Sequence, residues 1–252
     1  MEKNRVVVVS FASNKYLSSQ AGLVESARAI GFRRFMSYNL ENLPTDWRST
    51  NAVNESVRGC GYWLWKPLII RDALHKAEAD QLVLYVDAGN RFLASDFGLL
   101  LEVAGRQDVT LFDNRDSNPL GRRNLNLHWT KRDCFQLLGC DTPEYWFAPQ
   151  VNASYQIYRR TDYSFAFIEE YLRGCLIPAA LNDQPSQLKN LEGFRDHRHD
   201  QSILSILAHK HLISLLPDPS DVCVKMPRSP FPTLFNHHRG KVRITASGLT
   251  DH

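Results

Sequence analysis

The chain has 252 residues, of which 43% are hydrophobic and 23% charged, with a formal net charge of +3. That balance excludes a disordered or fibrous protein, and a charge so small and scattered argues against nucleic acid as the main partner. No apolar run approaches the roughly 20 residues of a membrane-spanning helix, and the five cysteines show no CxxC spacing, against both a disulfide framework and a zinc ribbon.

Taken in order, residues 6–10 form a β-branched run ending in small polar residues, the pattern of a buried parallel strand. Ser19 is placed to cap a helix carrying Leu23, Val24, Ala27 and Ile30 at helical spacing, and Gly31 supplies a left-handed stop. A second strand is predicted over 35–38. Residues 68–77 read as a helix with Pro67 at its first position, and 81–86 as a central strand ending at Asp87. Short strands follow at 109–112 and 154–158, then a helix over 163–173. Asp200 sits where a cap belongs, before a helix whose apolar face is Ile203, Leu204, Ile206 and Leu207. Strand and helix alternate without a linker or repeat, which predicts one α/β domain over 1–252 with a mostly parallel central sheet. The start of the chain lacks the pattern of a signal peptide, so a cytosolic protein is expected.

Open α/β sheets bind ligands at the carboxyl ends of their strands, which singles out Asp87, with Ala88 and Gly89 behind it. An aspartate there suits a hard cation held against a diphosphate, or is a plain turn residue. In the run 61–67, Lys66 can meet phosphate charge, while Trp63 and Trp65 suit core packing as well as a site. Gln150, Asn152 and Ser154 carry amide and hydroxyl groups fit for sugar hydroxyls. Asp200 and Gln201 open a helix, where Asp200 serves a cleft or only a cap. His237, His238 and Lys241 combine imidazoles with cations, fit for a metal and a phosphate or for an exposed basic turn. The fingerprints of serine hydrolases, P-loop NTPases, dinucleotide-binding dehydrogenases and zinc proteases are absent.

In this order the motifs resemble the GT-A glycosyltransferases, especially the family of glycogenin and the bacterial lipopolysaccharide galactosyltransferases, and also small capsule-cluster transferases, over roughly residues 6–241. The resemblance implies that Ser10, Phe11 and Ala12 contact a nucleotide, and that Lys66, Asp87, Ala88, Gly89, Asn152 and Lys241 bind the donor. It makes Asp200 and Gln201 the catalytic pair, and Asp87 with His237 or His238 the holders of Mn²⁺ or Mg²⁺. The family's second aspartate is missing, because Gly89 stands in its place. The implied reaction moves a sugar from a nucleoside diphosphate-sugar, UDP favoured, to a carbohydrate or lipid-linked glycan at the inner membrane face. Retention is favoured, and inversion with Asp200 as base stays open. A degenerate GT-A domain that binds without turnover, a nucleotidyl transferase and a protein-interaction module are the alternatives.

Overall fold

The computed structural model describes residues 2–44, 53–114, 124–221 and 229–237. Its frame is a five-stranded sheet in the order β2-β1-β3-β6-β5, made of β1 (Val6–Phe11), β2 (Arg34–Tyr38), β3 (Leu82–Val86), β5 (Val109–Asp113) and β6 (Val151–Arg159). A two-stranded ribbon pairs β4 (Asn90–Phe92) with β7 (Phe235–His237).

Strand β1 is buried along its whole length because both faces of the sheet are covered. Val7 and Val9 pack with α2 (Trp65–Lys76), α5 (Asp162–Cys175) and α6 (Asp200–Lys210), and α4 (Arg132–Leu137) completes that layer. Val6 and Val8 pack on the other face with α1 (Leu17–Ala29) and α3 (Gly98–Ala104), beside a cluster of Phe32, Phe92, Phe97 and Phe235. Alternate residues of one apolar strand thus feed two separate cores, as the period of two requires.

The α/β architecture matches the expectation, with one qualification. Strands β2, β1 and β3 run parallel, but β6 is antiparallel to both β3 and β5, so four of the five strands share one direction and β6 opposes them. Strand β6 is also longer than predicted. It begins at Val151, not Ser154, and so carries Asn152 inside the ladder.

Helix starts differ by a few residues. Helix α1 begins at Leu17 with no side-chain cap, so Ser19 lies inside it, whereas Gly31 does take the left-handed conformation at φ 104°. Helix α2 begins at Trp65, which makes Pro67 its third residue; this still falls in the first turn, where a missing N–H breaks no helical bond. Helix α5 carries the best-formed cap, a reciprocal box between Thr161 and Ser164. Among the described residues no helix is long and apolar enough to cross a membrane.

Candidate active site

The carboxyl edge of β1 and β3 is where the sequence-derived residues converge. Asp87 follows the last residue of β3, and its backbone N–H donates to the Ser154 carbonyl at 2.8 Å, tying it to β6. Its carboxylate accepts a 2.5 Å hydrogen bond from the Tyr85 hydroxyl, two residues back on the same face of the strand. The side chain is about one-third exposed, so it opens toward solvent.

Lys66 approaches from the first turn of α2. Its ammonium lies 2.8 Å from Asp200 Oδ2 and 3.6 Å from Asp87 Oδ1, and it donates to the Ala153 carbonyl at 3.2 Å. Only 3% of this side chain is exposed, so the charge is paired inside the protein, not presented to solvent. Burial alone would drive the proton off, but Asp200 and then Asp87 outweigh it and hold the lysine above its ordinary pKa. Asp200 is equally buried, and its Oδ2 also accepts from the Tyr171 hydroxyl at 3.0 Å. Burial, followed by the charges of Asp87 on Tyr85 and of Asp200 on Tyr171, keeps both phenols protonated, so both donate.

Asp200 does not cap its helix. It is the first residue of α6, and His199 occupies the cap position without a capping hydrogen bond. Next to it, Gln201 donates to Gln150 Oε1 at 3.0 Å, and Gln150 in turn donates to Asn126 and Thr130. Three elements are joined in this way around the start of α6.

The other expected contacts are placed as follows. Ser10 and Phe11 are buried in the strand. The Ser10 hydroxyl accepts from Gln20 at 3.0 Å, and the Phe11 ring stacks on Trp65 with centroids 4.1 Å apart. The Ala12 N–H donates to the Tyr38 carbonyl. Trp65 is a core residue, 5% exposed, with its indole N–H on the Gly59 carbonyl. Asn152 is committed within the protein, since its amide donates to Tyr155 and Asp218 and its oxygen accepts from Ser154 N. Ala88 and Gly89 form the turn between β3 and β4, and a Cβ at Gly89 would meet nothing within 4 Å.

His237 lies in β7 directly opposite Asn90, and its ring faces Tyr155. Its Nδ1 is buried without a hydrogen-bond partner, 3.5 Å from the Asp221 carboxylate. His238 and Lys241 lie outside the described residues. Among the described residues no three His, Cys, Asp or Glu side chains gather as a metal-holding group. Asp87 and His237 do not make up such a group by themselves, and the other expected ligand, His238, falls outside the described residues.

Sequence reasoning missed Tyr171, Tyr85 and Asp218. Tyr85 was legible, since a tyrosine two residues before a strand-end aspartate shares its face. Tyr171 and Asp218 left no local signal, because each reaches its partner from a distant element.

No family model matches the chain, and no curated protein sequence matches it. Solved structures do match. WbbM, a bifunctional glycosyltransferase in its apo form, aligns with TM-score 0.49 and 15% identity over 94% of this chain and 46% of WbbM. Mouse xyloside xylosyltransferase 1, also apo, aligns with TM-score 0.48 and 10% identity over 92% of this chain and 97% of its own. The galactosyltransferase LgtC, in complex with donor and acceptor sugar analogues, aligns with TM-score 0.43 and 18% identity over 94% and 88% of the two chains. All three of these solved structures are glycosyltransferases.

Proposed function

We propose that this protein is a glycosyltransferase that moves a sugar from a nucleoside diphosphate-sugar, UDP-linked in the favoured case, to a carbohydrate hydroxyl. The observation that carries the reading is the Lys66–Asp200–Asp87 cluster at the carboxyl edge of the sheet: two carboxylates and one ammonium, held by two tyrosines in a mostly buried setting. Such fixed, partly desolvated groups position polyhydroxylated substrates well, because carboxylates accept hydroxyl protons in set directions and need little rearrangement.

Within this reading Asp87 meets the donor at the open edge and the partly buried Gln201 orients the sugar, while Asp200, buried with Lys66, holds the start of α6 in place from within. Asp200 acts as a fixed acceptor more than as a general base: its Oδ2 already takes two hydrogen bonds, one of them charged, and neither partner frees it to remove a proton. This favours retention at the anomeric carbon over inversion with Asp200 as base. Lys66 organises the two carboxylates from within, so contact with the leaving diphosphate falls to other cations. Mn²⁺ or Mg²⁺ would be held at the open edge by Asp87 and would offset charge on the diphosphate. A lipid-linked or surface-glycan acceptor at the inner membrane face is the favoured biological setting.

One observation favours a second reading, a binding domain without turnover: the residue at the expected second metal position is Gly89, and the described residues complete no ligand set. A thermal-shift screen against UDP, GDP, CDP, dTDP and their sugars, with Mn²⁺ and with EDTA, separates the two when joined to an assay of nucleoside diphosphate release. A shift with one nucleotide, lost in Asp87→Ala, together with acceptor-dependent release supports the transferase. Binding with no release on any acceptor supports the second reading.

A further inference from the structure

Both partners of the Lys66–Asp200 pair hang from backbone outside the usual range. Gly59, Cys60, Gly61, Tyr62 and Trp63 have φ values of 59°, 54°, 98°, 55° and 62°, a left-handed turn that ends three residues before Lys66. His199, the residue before Asp200, stands at φ 52° and ψ −121°, a region comfortable only for glycine. Strain that persists at two places must be held by the packing around them.

The two segments hold each other. The ring centroids of Tyr62 and Trp63 lie 5.1 Å and 5.4 Å from that of His199, with interplanar angles of 33° and 26°. Trp63 lies so close over Gly59 that a Cβ there would come within 2.5 Å of its ring. The imidazole Nδ1 donates to the Leu181 carbonyl at 2.8 Å, which sets the tautomer, and the ring is buried. Its Nε2 has no hydrogen-bond partner and lies 3.4 Å from the Asp183 carboxylate. No capping bond explains a histidine at this position.

We propose that His199 is a positioning residue for Asp200: its ring, gripped by Tyr62 and Trp63, sets the direction in which α6 begins and holds the Asp200 carboxylate against Lys66. This deepens the transferase reading and rests on it for its kinetic test. The turn over 59–63 fixes the start of α2, the histidine fixes the start of α6, and the ring contact couples the two. The geometry of the ion pair is then imposed by the backbone and does not depend on the attraction of its charges alone.

Two variants separate positioning from plain packing. His199→Gly relieves the backbone but removes the ring; His199→Phe keeps a ring for Tyr62 and Trp63 while retaining the strain and losing the bond to Leu181. With kcat corrected for folded fraction by urea melts, His199→Gly is expected to lose roughly 100-fold in kcat with the donor KM nearly unchanged, and His199→Phe to keep clearly more. Equal, near-normal kcat per folded molecule in both variants would overturn the proposal. A crystal structure of His199→Gly gives a readout independent of turnover, the separation of Lys66 Nζ and Asp200 Oδ2. Positioning expects it to open beyond the hydrogen-bond limit of about 3.5 Å; retention of the 2.8 Å contact overturns it. If the unaltered protein turns over no nucleotide-sugar, the transferase reading fails, and that separation alone decides the role of His199.

Discussion

Replacing Lys66 with methionine keeps the length of the side chain and removes its charge from between two carboxylates. Asp200 is then left 5% exposed with only the Tyr171 hydroxyl to satisfy it, facing Asp87 across the gap. Breaking one side of a buried ion pair costs about 3–5 kcal/mol, because the remaining charge stays desolvated. In a chain of this size that corresponds to a fall in melting temperature of roughly 10 °C. The sign of the pH dependence follows from the same charge. In the parent, burial already holds Asp200 above its ordinary pKa although Lys66 pulls it down; without Lys66 it rises further, so the folded variant keeps its proton to higher pH than the folded parent does. The deficit is therefore small near pH 4 and grows as pH rises through the raised pKa. Urea melts of Lys66→Met and the parent at pH 4.5 and 7.5 check this, and the double variant with Asp200→Asn should recover part of the loss at pH 7.5. A deficit under about 1 kcal/mol that is the same at both pH values, as for a solvent-exposed pair, would refute a buried, charged Lys66–Asp200 pair.

Further outcomes follow from other contacts. Tyr85→Phe removes one hydrogen bond from Asp87 without opening the core, and should cost about 1 kcal/mol in a thermal melt while weakening nucleotide-sugar binding less than Asp87→Ala does in calorimetry. Gly174→Ala places a methyl 2.8 Å from the stiff, fully buried Ile203 side chain between α5 and α6; overpacking of this kind should cost about 1–3 kcal/mol in chemical denaturation. Asp133 is pulled below its ordinary pKa because the Leu188 and Gln187 N–H groups, then Ser186 and Lys131, outweigh its burial. Its contribution is present above the unfolded pKa of about 3.9 and lost as pH falls through the lower folded value. Asp133→Asn should therefore be less stable than the parent at neutral pH, with the difference closing below about pH 4 in acid unfolding curves.

The sequence by itself determined the strands that carry the frame. The β-branched run of β1 and the apolar run of β3 admit little besides a strand covered on both faces, and Asp87 is placed at the edge of the sheet by the end of that run alone. The helices of the sandwich were legible from their apolar spacing, and Gly31 from its freedom at positive φ. The direction of β6 was not, because alternation and burial report which residues face a core and say nothing of the way a strand runs. Nor was the company of Lys66. A lysine beside two tryptophans reads as an open phosphate contact, and only the folding of α6 against α2 brings Asp200 to within 2.8 Å and removes that charge from solvent. The left-handed turn over 59–63 and the strained His199 were equally silent, since local propensity opposes both. Such conformations exist only where tertiary packing outweighs the backbone's own preference, so only the assembled structure reveals them.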